Sequence, residues 1–389
     1  MTAREPPAEP STEDSAADEE GSWRKRPSTI LDVARVAGVA VGTVSRYLNG
    51  FPVRPGNRDM IEGAIRKLGY RRNALAAAMK SDLTNTVGFM VPRLTEFHSP
   101  ILELLSRRLR ASGRALLTYC HDDDQDSIAE ALDFFATHRV DCLVMDGREE
   151  ASDMIRELSA SGTPVILYDN DVPGLPIDRV LVDNRAVSNR AVRHLLDMGH
   201  TRIAALSGSL RNYCGRERLE GYKQALAEAG IEVVPEYVVD GDWSESRGHS
   251  GMLRLLSLER PPTAVFCCNY NMAVGALTLL KERRCRVPED ISVASFDDVQ
   301  LFRLHDVGVT AIAQPIERIA ETIAGLVESR LSEEGSWHAP HTIVLGCEIV
   351  LRDSTRRPSA VQSARERETE WRAEERRTTA TSETRGDGR

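Results

Sequence analysis

Apolar positions along the chain follow two different periods. From Ser28 to about Tyr70 they recur at helical spacing. Thr29 and Asp32 form a capping box that starts a first helix. Ile30, Val33, Ala34 and Ala37 mark its buried face, and Gly38 supplies the left-handed residue that ends it. Val39 is an apolar plug before a second helix, predicted over Val41 to Leu48, with Val44 and Leu48 facing inward. Val41, Gly42, Thr43, Ser45, Arg46 and Asn49 are left on or near the outer surface. Asn49-Gly50 closes that helix, and a third follows Pro55 with Met60, Ile61, Ala64, Ile65 and Leu68 as its apolar set. Two short helices across a glycine turn, backed by a third, make a helix-turn-helix unit, whose second helix fits a DNA major groove.

Beyond Asn85 the period changes. Short β-rich runs, "TVGFMVP", "RALLTYC", "DCLVMDG", "PVILYDN", "RIAALSG", "YVVDGD", "TAVFCCN" and "ISVASFDD", alternate with amphipathic helical stretches. Strand–helix alternation of this kind predicts parallel α/β sheet covered on both faces. The stretch to about Ser354 is long for one sheet, so two lobes are expected. The predicted organisation is a disordered acidic tail over 1–27, the helix-turn-helix domain over 28–70, an Ala-rich bridge over 71–84, the two-lobed core over 85–354 and a disordered charged tail over 355–389. That last segment lacks the heptad seam of a tetramerising coiled coil.

Charge sharpens the division. The whole chain carries a formal −9, yet Trp23 to Lys80 holds 12 Lys/Arg against three Asp/Glu, a net of +9 that leaves −18 elsewhere. One segment is therefore suited to a polyanion and the remainder is not. Seven cysteines are scattered without a C-x-x-C, most of them in apolar runs, and read as core residues of a protein kept in a reducing cytoplasm. The acidic, Pro-rich start is no signal peptide, and no apolar run approaches ~20 residues, so no membrane role is expected. "CHDDDQD", His121 to Asp126, has metal-ligand residue types but no second cluster, and reads as a solvated loop with carboxylates at a helix start. Phosphate-cradling, zincin and nucleophile-elbow motifs are missing, so an enzyme is not expected. A periplasmic solute-binding protein would share the core but would need a signal peptide and no front helices.

"TILDVARVAGVAVGTVSRYLNG" and "AIRKLGYRRNALA", followed by "LLDMGHTRIAALSG", "RERLEGYKQALAEAGI", "RVPEDISVASFDD" and "QPIERIAE", resemble the lac-repressor (LacI/GalR) family of bacterial transcription regulators, from about Thr29 to Ser354. The resemblance implies an all-α helix-turn-helix headpiece, a hinge helix, and an α/β two-lobed periplasmic-binding-protein-like core. It implies a homodimer that binds a palindromic operator in double-stranded DNA as a repressor or activator, with a small-molecule effector and no cofactor. In the family the first residues of the second helix read base edges; here these are Val41 and Gly42, where larger polar residues often stand. Arg46 matches the family arginine and would reach a guanine edge or a phosphate, while Thr29, Thr43, Ser45 and Asn49 suit phosphates. Leu75 matches the hinge leucine that wedges into the minor groove, although a core contact stays open. Other departures are Ala40 and Arg54 at positions where Ser would cap a helix, which favours a frayed free headpiece, and Arg72, Ala77 and Ala78 in the hinge, which favour helix.

For the core, the resemblance places Asp169, Arg216, Trp243, Asn269 and Asp297 at effector-contacting positions between the lobes. Carboxylates and an amide grip hydroxyls, Arg adds paired donors and Trp stacks on a ring, which suits a sugar or sugar derivative. Helix capping by the Asp and Asn residues, and plain packing by Trp243, stay open. The family's aromatic pair at the first core helix is matched here to Pro100-Ile101, and an acid after the strand-end Asn is Tyr270, so a nucleoside, a sugar phosphate or no small ligand also remains open. Helices over Ile101–Arg110 and Ile316–Leu331 are expected to offer apolar faces for subunit pairing, and lobe closure on ligand to bias the paired hinges.

Overall fold

The computed structural model describes residues 28–71, 83–332 and 339–358. Leu75, Arg72, Ala77 and Ala78 of the expected hinge helix, the whole N-terminal tail and the C-terminal tail from 359 onward lie outside the described residues. The chain divides into two compact units, Met1–Thr84 and Asn85–Arg389.

In the first unit, α1 (Ile30–Ala37), α2 (Val41–Leu48) and α3 (Pro55–Leu68) surround a small core of Val33, Ala34, Ala37, Val44, Ile61 and Ala64. The Thr29–Asp32 capping box closes α1 at its start, and Gly38 ends it at φ 63°. Neither α2 nor α3 has a side-chain cap, because Ala40 and Arg54 carry no acceptor at those positions. Met60, expected in the apolar face of α3, is instead 48% exposed, because Ile61 and Ala64 fill the interface.

The second unit holds two six-stranded sheets. The first contains β1 (Thr86–Val91), β2 (Ala115–Cys120), β3 (Cys142–Asp146), β4 (Val165–Tyr168), β5 (Asp178–Val182) and β11 (Thr342–Leu345), in the order β11-β5-β4-β3-β1-β2, all parallel. The second contains β6 (Ile203–Ser207), β7 (Val238–Asp240), β8 (Ala264–Cys267), β9 (Ser292–Phe296), β10 (Thr310–Ala313) and β12 (Glu348–Val350), in the order β12-β10-β9-β8-β6-β7. Its strands are parallel except for β12, which pairs antiparallel with β10. The helices are α4 (His98–Ala111), α5 (Gln125–Thr137), α6 (Ser152–Ala160), α7 (Asn184–Asp197), α8 (Tyr213–Glu228), α9 (Glu245–Leu256), α10 (Tyr270–Glu282), α11 (Gln300–Leu304) and α12 (Ile316–Arg330). The central strands are buried along their length except for Thr86 at the start of β1, as two-sided helical cover requires. β5, β10, β11 and β12 had no counterpart among the strands read from the sequence.

Three expectations are corrected here. Ile101, Leu105 and Leu109 of α4 and Ile319, Ala320, Ile323 and Val327 of α12 are buried within the chain, since these two helices pack on each other, so these residues are not free for a second subunit, while Leu102 and Leu104 of α4 are half-buried. The exposed positions around them include charged residues, with Arg108 paired to Glu321. The core also continues past Ser354: Thr355 is buried, and the Arg356 backbone bonds Ser292 and His200. Finally, α4 starts at His98, three residues before the expected position, with Phe97 as its cap residue. Five cysteines are buried, Cys285 is half-buried and Cys120 is exposed.

Candidate functional site

The first unit presents α2 edge-on to solvent. Val44 is its buried anchor, while Val41, Gly42, Arg46 and Asn49 are exposed and Thr43 and Ser45 half-buried. Gly42 carries no side chain and nothing crowds its outer face, so backbone there can approach a surface closely. Arg46 lies over the Phe51 ring, its guanidinium carbon 5.7 Å from the centroid. Phe51 is 57% exposed and its N–H bonds the Arg46 carbonyl, so it orients the arginine while leaving the donors outward. Sequence reading missed that role. The Tyr47 hydroxyl donates to Glu62, which also accepts from Arg58, tying α2 to α3. Thr29 is committed: its hydroxyl donates to Asp32 at 2.7 Å and accepts the Asp32 N–H.

The second unit encloses a cavity of about 450 Å³. Every wall is a carboxyl-terminal strand end or the helix start that follows it, the place where open parallel sheets present polar groups. From the first lobe come Thr95, Phe97 and His98 after β1, His121, Asp122 and Asp123 after β2, Asp146 and Arg148 at β3, and Asp169 and Asn170 after β4. From the second lobe come Asn212, Cys214 and Arg218 after β6, Asp242, Trp243 and Ser244 after β7, Asn269 and Tyr270 after β8, Asp297 after β9 and Gln314 after β10. Four of the seven non-glycine residues with positive φ among the described residues are here: Asp169, Asp242, Trp243 and Asp297. Asp tolerates that conformation; Trp does not without support, and such strain collects at functional sites. Support is visible. A side chain at Gly208 would collide with the Trp243 indole, the Trp243 Nε1–H donates to Asn212 and the Trp243 carbonyl accepts from Asn269.

The sequence-predicted residues divide. Asp169, Trp243, Asn269 and Asp297 all line the cavity. Asn269 also caps α10, accepting the Met272 N–H at 2.9 Å, so its amide is held on both sides. Asp297 accepts from Gln314 at 2.7 Å. Arg216 is a correction: it does not line the cavity. It bonds the carbonyls of Leu210 and Arg211 and pairs with Glu149 of the other lobe. Two residues further along α8, about 200° around the helix, Arg218 points inward. It is 3% exposed, bonds Asn184 and the Cys268 carbonyl, and stacks on Phe296 with its guanidinium carbon 3.5 Å from the ring centroid. The match of the family's aromatic pair to Pro100-Ile101 is also corrected: Phe97 and His98 line the cavity there, their rings 5.1 Å apart, while Ile101 is in the core.

The segment from His121 to Asp126 is partly misjudged as plain loop. Asp124 does cap α5, accepting the Ser127 N–H, but His121, Asp122 and Asp123 line the cavity. Among the described residues no group of three or more His, Cys, Asp or Glu side chains could hold a metal ion. Arg148, nearly buried, pairs with Asp146 and Asp123, both at 2.7 Å. Burial and the neighbouring Asp146 raise the Asp169 carboxyl to about 7, against the pull of Arg218 3.9 Å away. Burial lowers the His98 imidazole to about 4 and also lowers His121. Three further contacts join the lobes across the cavity or its rim: Asn170 accepts the Cys214 N–H at 2.9 Å, the Tyr270 hydroxyl accepts the Glu96 N–H at 3.4 Å, and Arg216 meets Glu149.

No helix among the described residues is long and apolar enough to cross a membrane. The family model described as bacterial regulatory proteins, lacI family, matches residues 29–73, and one described as a periplasmic binding protein-like domain matches 192–355. The HTH-type transcriptional repressor PurR of Mannheimia succiniciproducens is 31% identical over 335 residues, covering 85% of this chain and 99% of the relative. The structure of the lac repressor dimer bound to operator and the anti-inducer ONPF aligns with a TM-score of 0.77 and 25% identity, over 85% of this chain and 100% of that one. A complex of the transcriptional regulator CelR with cellobiose aligns at 0.64 and 28% identity, over 84% and 99%. With a helix-turn-helix unit in front of two parallel sheets that enclose a polar cavity, and with relatives that match nearly end to end, the chain belongs to the lacI family of DNA-binding transcriptional regulators and is not an enzyme.

Proposed function

We propose that the chain is a cytoplasmic repressor that binds a palindromic operator as a homodimer, and that a small carbohydrate-type ligand in the cavity controls the binding. One observation carries the DNA half: α2 buries only Val44 and turns Val41, Gly42 and Arg46 outward on a strongly basic unit. Val41 offers apolar contact to a thymine methyl, Gly42 allows close approach, and Arg46 supplies the bidentate donor for a guanine edge. Thr43, Ser45 and Asn49 flank these and suit phosphates, and Thr29 contributes by fixing the start of α1. Leu75 as a minor-groove wedge rests on the family resemblance alone. The lac repressor structure with operator and the CelR structure with cellobiose support carrying both activities to this chain.

In the cavity, Asp169 and Asp297 would accept from ligand hydroxyls, Trp243 would stack on a ring and Arg218 would donate in place of Arg216. Asn269 holds Trp243 and the start of α10, and so acts on a ligand mainly through them. Fluorescence anisotropy on inverted repeats selected from random duplexes tests the proposal. Affinity should fall steeply with salt. Arg46→Ala should weaken operator binding by about tenfold or more, the ~1–3 kcal/mol of one bidentate base contact. A chain that stays monomeric at micromolar concentration, or that ignores every inverted repeat, overturns it.

A further inference from the structure

Phe51 is exposed and stands outside the small core that α1, α2 and α3 share, so its ring contributes little to that fold. The backbone nevertheless fixes its place. Gly50, in the left-handed region at φ 76°, follows Asn49, the C-cap residue of α2. Its N–H donates to the Tyr47 carbonyl at 3.0 Å, and the Phe51 N–H donates to the Arg46 carbonyl at 2.9 Å. These two bonds make a Schellman turn, in which the residue after the glycine packs against the side chain five positions back. That contact is usually apolar on both sides. Here the earlier residue is Arg46, whose guanidinium carbon lies 5.7 Å from the Phe51 ring centroid, within cation–π range. Pro52 holds Phe51 in extended backbone, away from helix. Arg35 and Arg58 of the same unit pair with Asp32 and Glu62, whereas Arg46 has no carboxylate partner among the described residues and rests on the ring.

We propose that Phe51 is a positioning residue that sets base discrimination by Arg46, and that the turn at Gly50 couples the two. This deepens the reading of α2 as the helix that enters the major groove and rests on it. An arginine on a basic surface meets two kinds of acceptor in a groove: phosphate oxygens, which carry no sequence information, and the O6/N7 edge of guanine, which does. The bidentate bond to guanine needs the planar fork aligned with the base, while a phosphate makes no such demand. A ring against one face of the guanidinium leaves its N–H edge free and restricts where that edge points. Phe51 therefore bears on selectivity. Overall attraction to DNA follows the count of neutralised phosphates and does not pass through an apolar ring. Val41 and Gly42, ahead of Arg46 on α2, bring no bidentate group, so discrimination on this helix leans on the arginine.

The experiment is fluorescence anisotropy of the full chain on the inverted repeat it selects from random duplexes, on each single-base variant of that repeat and on an unrelated duplex. The base pair to which Arg46→Ala becomes indifferent is the one Arg46 reads. There Phe51→Ala should cut the preference for guanine about threefold in each half-site and about tenfold on the symmetric operator, the worth of one exposed cation–π contact per half-site. Affinity for the unrelated duplex, and the slope of log K against log salt, should stay at the parent values. Phe51→Tyr, which keeps the ring, should hold the preference, and Phe51→Leu, which keeps only apolar bulk, should lose it. That contrast carries the test if the alanine variant does not fold. With Arg46 already replaced by alanine, Phe51→Ala should cost nothing more, since the two side chains act as one unit. Unchanged guanine preference in Phe51→Ala, equal weakening on the unrelated duplex, or independent losses in the double variant overturns the pair and leaves operator binding standing. So does an Arg46→Ala variant that keeps every base preference. A parent chain that selects no inverted repeat overturns the pair and the DNA reading together.

Discussion

The two walls of the cavity are made of the same parts, strand ends followed by helix starts, yet their polar groups are left in opposite states. On the second-lobe wall the donors and acceptors are largely matched. Arg218 has two bonds and an aromatic bed, Asn269 is held at both ends, and Trp243 is pinned by Asn212 and Asn269. Among the described residues, His98 Nε2, His121 Nε2, Arg148 Nε and Asp169 Oδ1 on the first-lobe wall have no hydrogen-bond partner, against Gln314 Oε1 on the second. Buried polar atoms are normally paired, and each exception calls for an explanation. Within one cavity, then, one side is a pre-set frame and the other is where an incoming molecule would complete the bonding.

That contrast breaks most readily at Arg218. Arg218→Ala should cost the core about 3–5 kcal/mol, because it strands the buried Asp169 and leaves Asn184 and the Cys268 carbonyl unmet. Urea denaturation measures this, and a loss under ~1 kcal/mol would mean that the second-lobe wall is no more rigid than the first.

Asp169 gives the next largest effect, with the opposite sign. Its carboxyl sits at about 7 in the folded chain against 3.8 in the reference state. The folded state thus holds a proton that the unfolded state releases, and stability falls as pH rises from about 4 to 7. The accumulated penalty is roughly 2–4 kcal/mol at pH 8. Asp169→Asn should therefore raise the melting temperature at pH 8 and change it little at pH 4.

His98 acts in the reverse direction. Lowered to about 4 from 6.5 by burial, it stays neutral when folded while the unfolded chain takes a proton, so stability is lost as pH falls from 6.5 towards 4. The loss is roughly 2–3 kcal/mol, and His98→Gln should flatten that limb relative to the parent. Smallest of all, Arg216→Ala should change stability by less than about 1 kcal/mol, since its pairing with Glu149 is well exposed. A large loss of ligand affinity in that variant would return Arg216 to the binding site.

Local sequence carried the headpiece further than the core. Every device that sets α1 and α2 lies within a few residues: the Thr29 cap, the left-handed Gly38 and the inward Val44. Phe51 escaped notice because its partner is a surface arginine, which no apolar period marks. In the core, the strand-end positions of Asp169, Asn269 and Asp297 were visible as polar residues closing apolar runs. Rotation about α8 was not. The helix begins at Tyr213, and without that phase Arg216 and Arg218 cannot be told apart. His98 and His121 were hidden for another reason: their bonds run to Thr95 and to the Asp122 carbonyl, and a carbonyl leaves no trace in residue identity. β11 and β12 are short, and what defines them is pairing with strands far back in the chain.

That last pairing bears on how the protein is made. β11 is the neighbour of β5, and buried Asp178 at the start of β5 is satisfied by Arg330 and the His341 N–H, more than 150 residues later. A chain leaving the ribosome would thus hold an open sheet edge and an unmatched buried carboxylate until almost all of it had been translated. Exposed edges of that kind invite association with other chains. Premature termination anywhere before His341 should yield aggregating product, not a smaller working regulator.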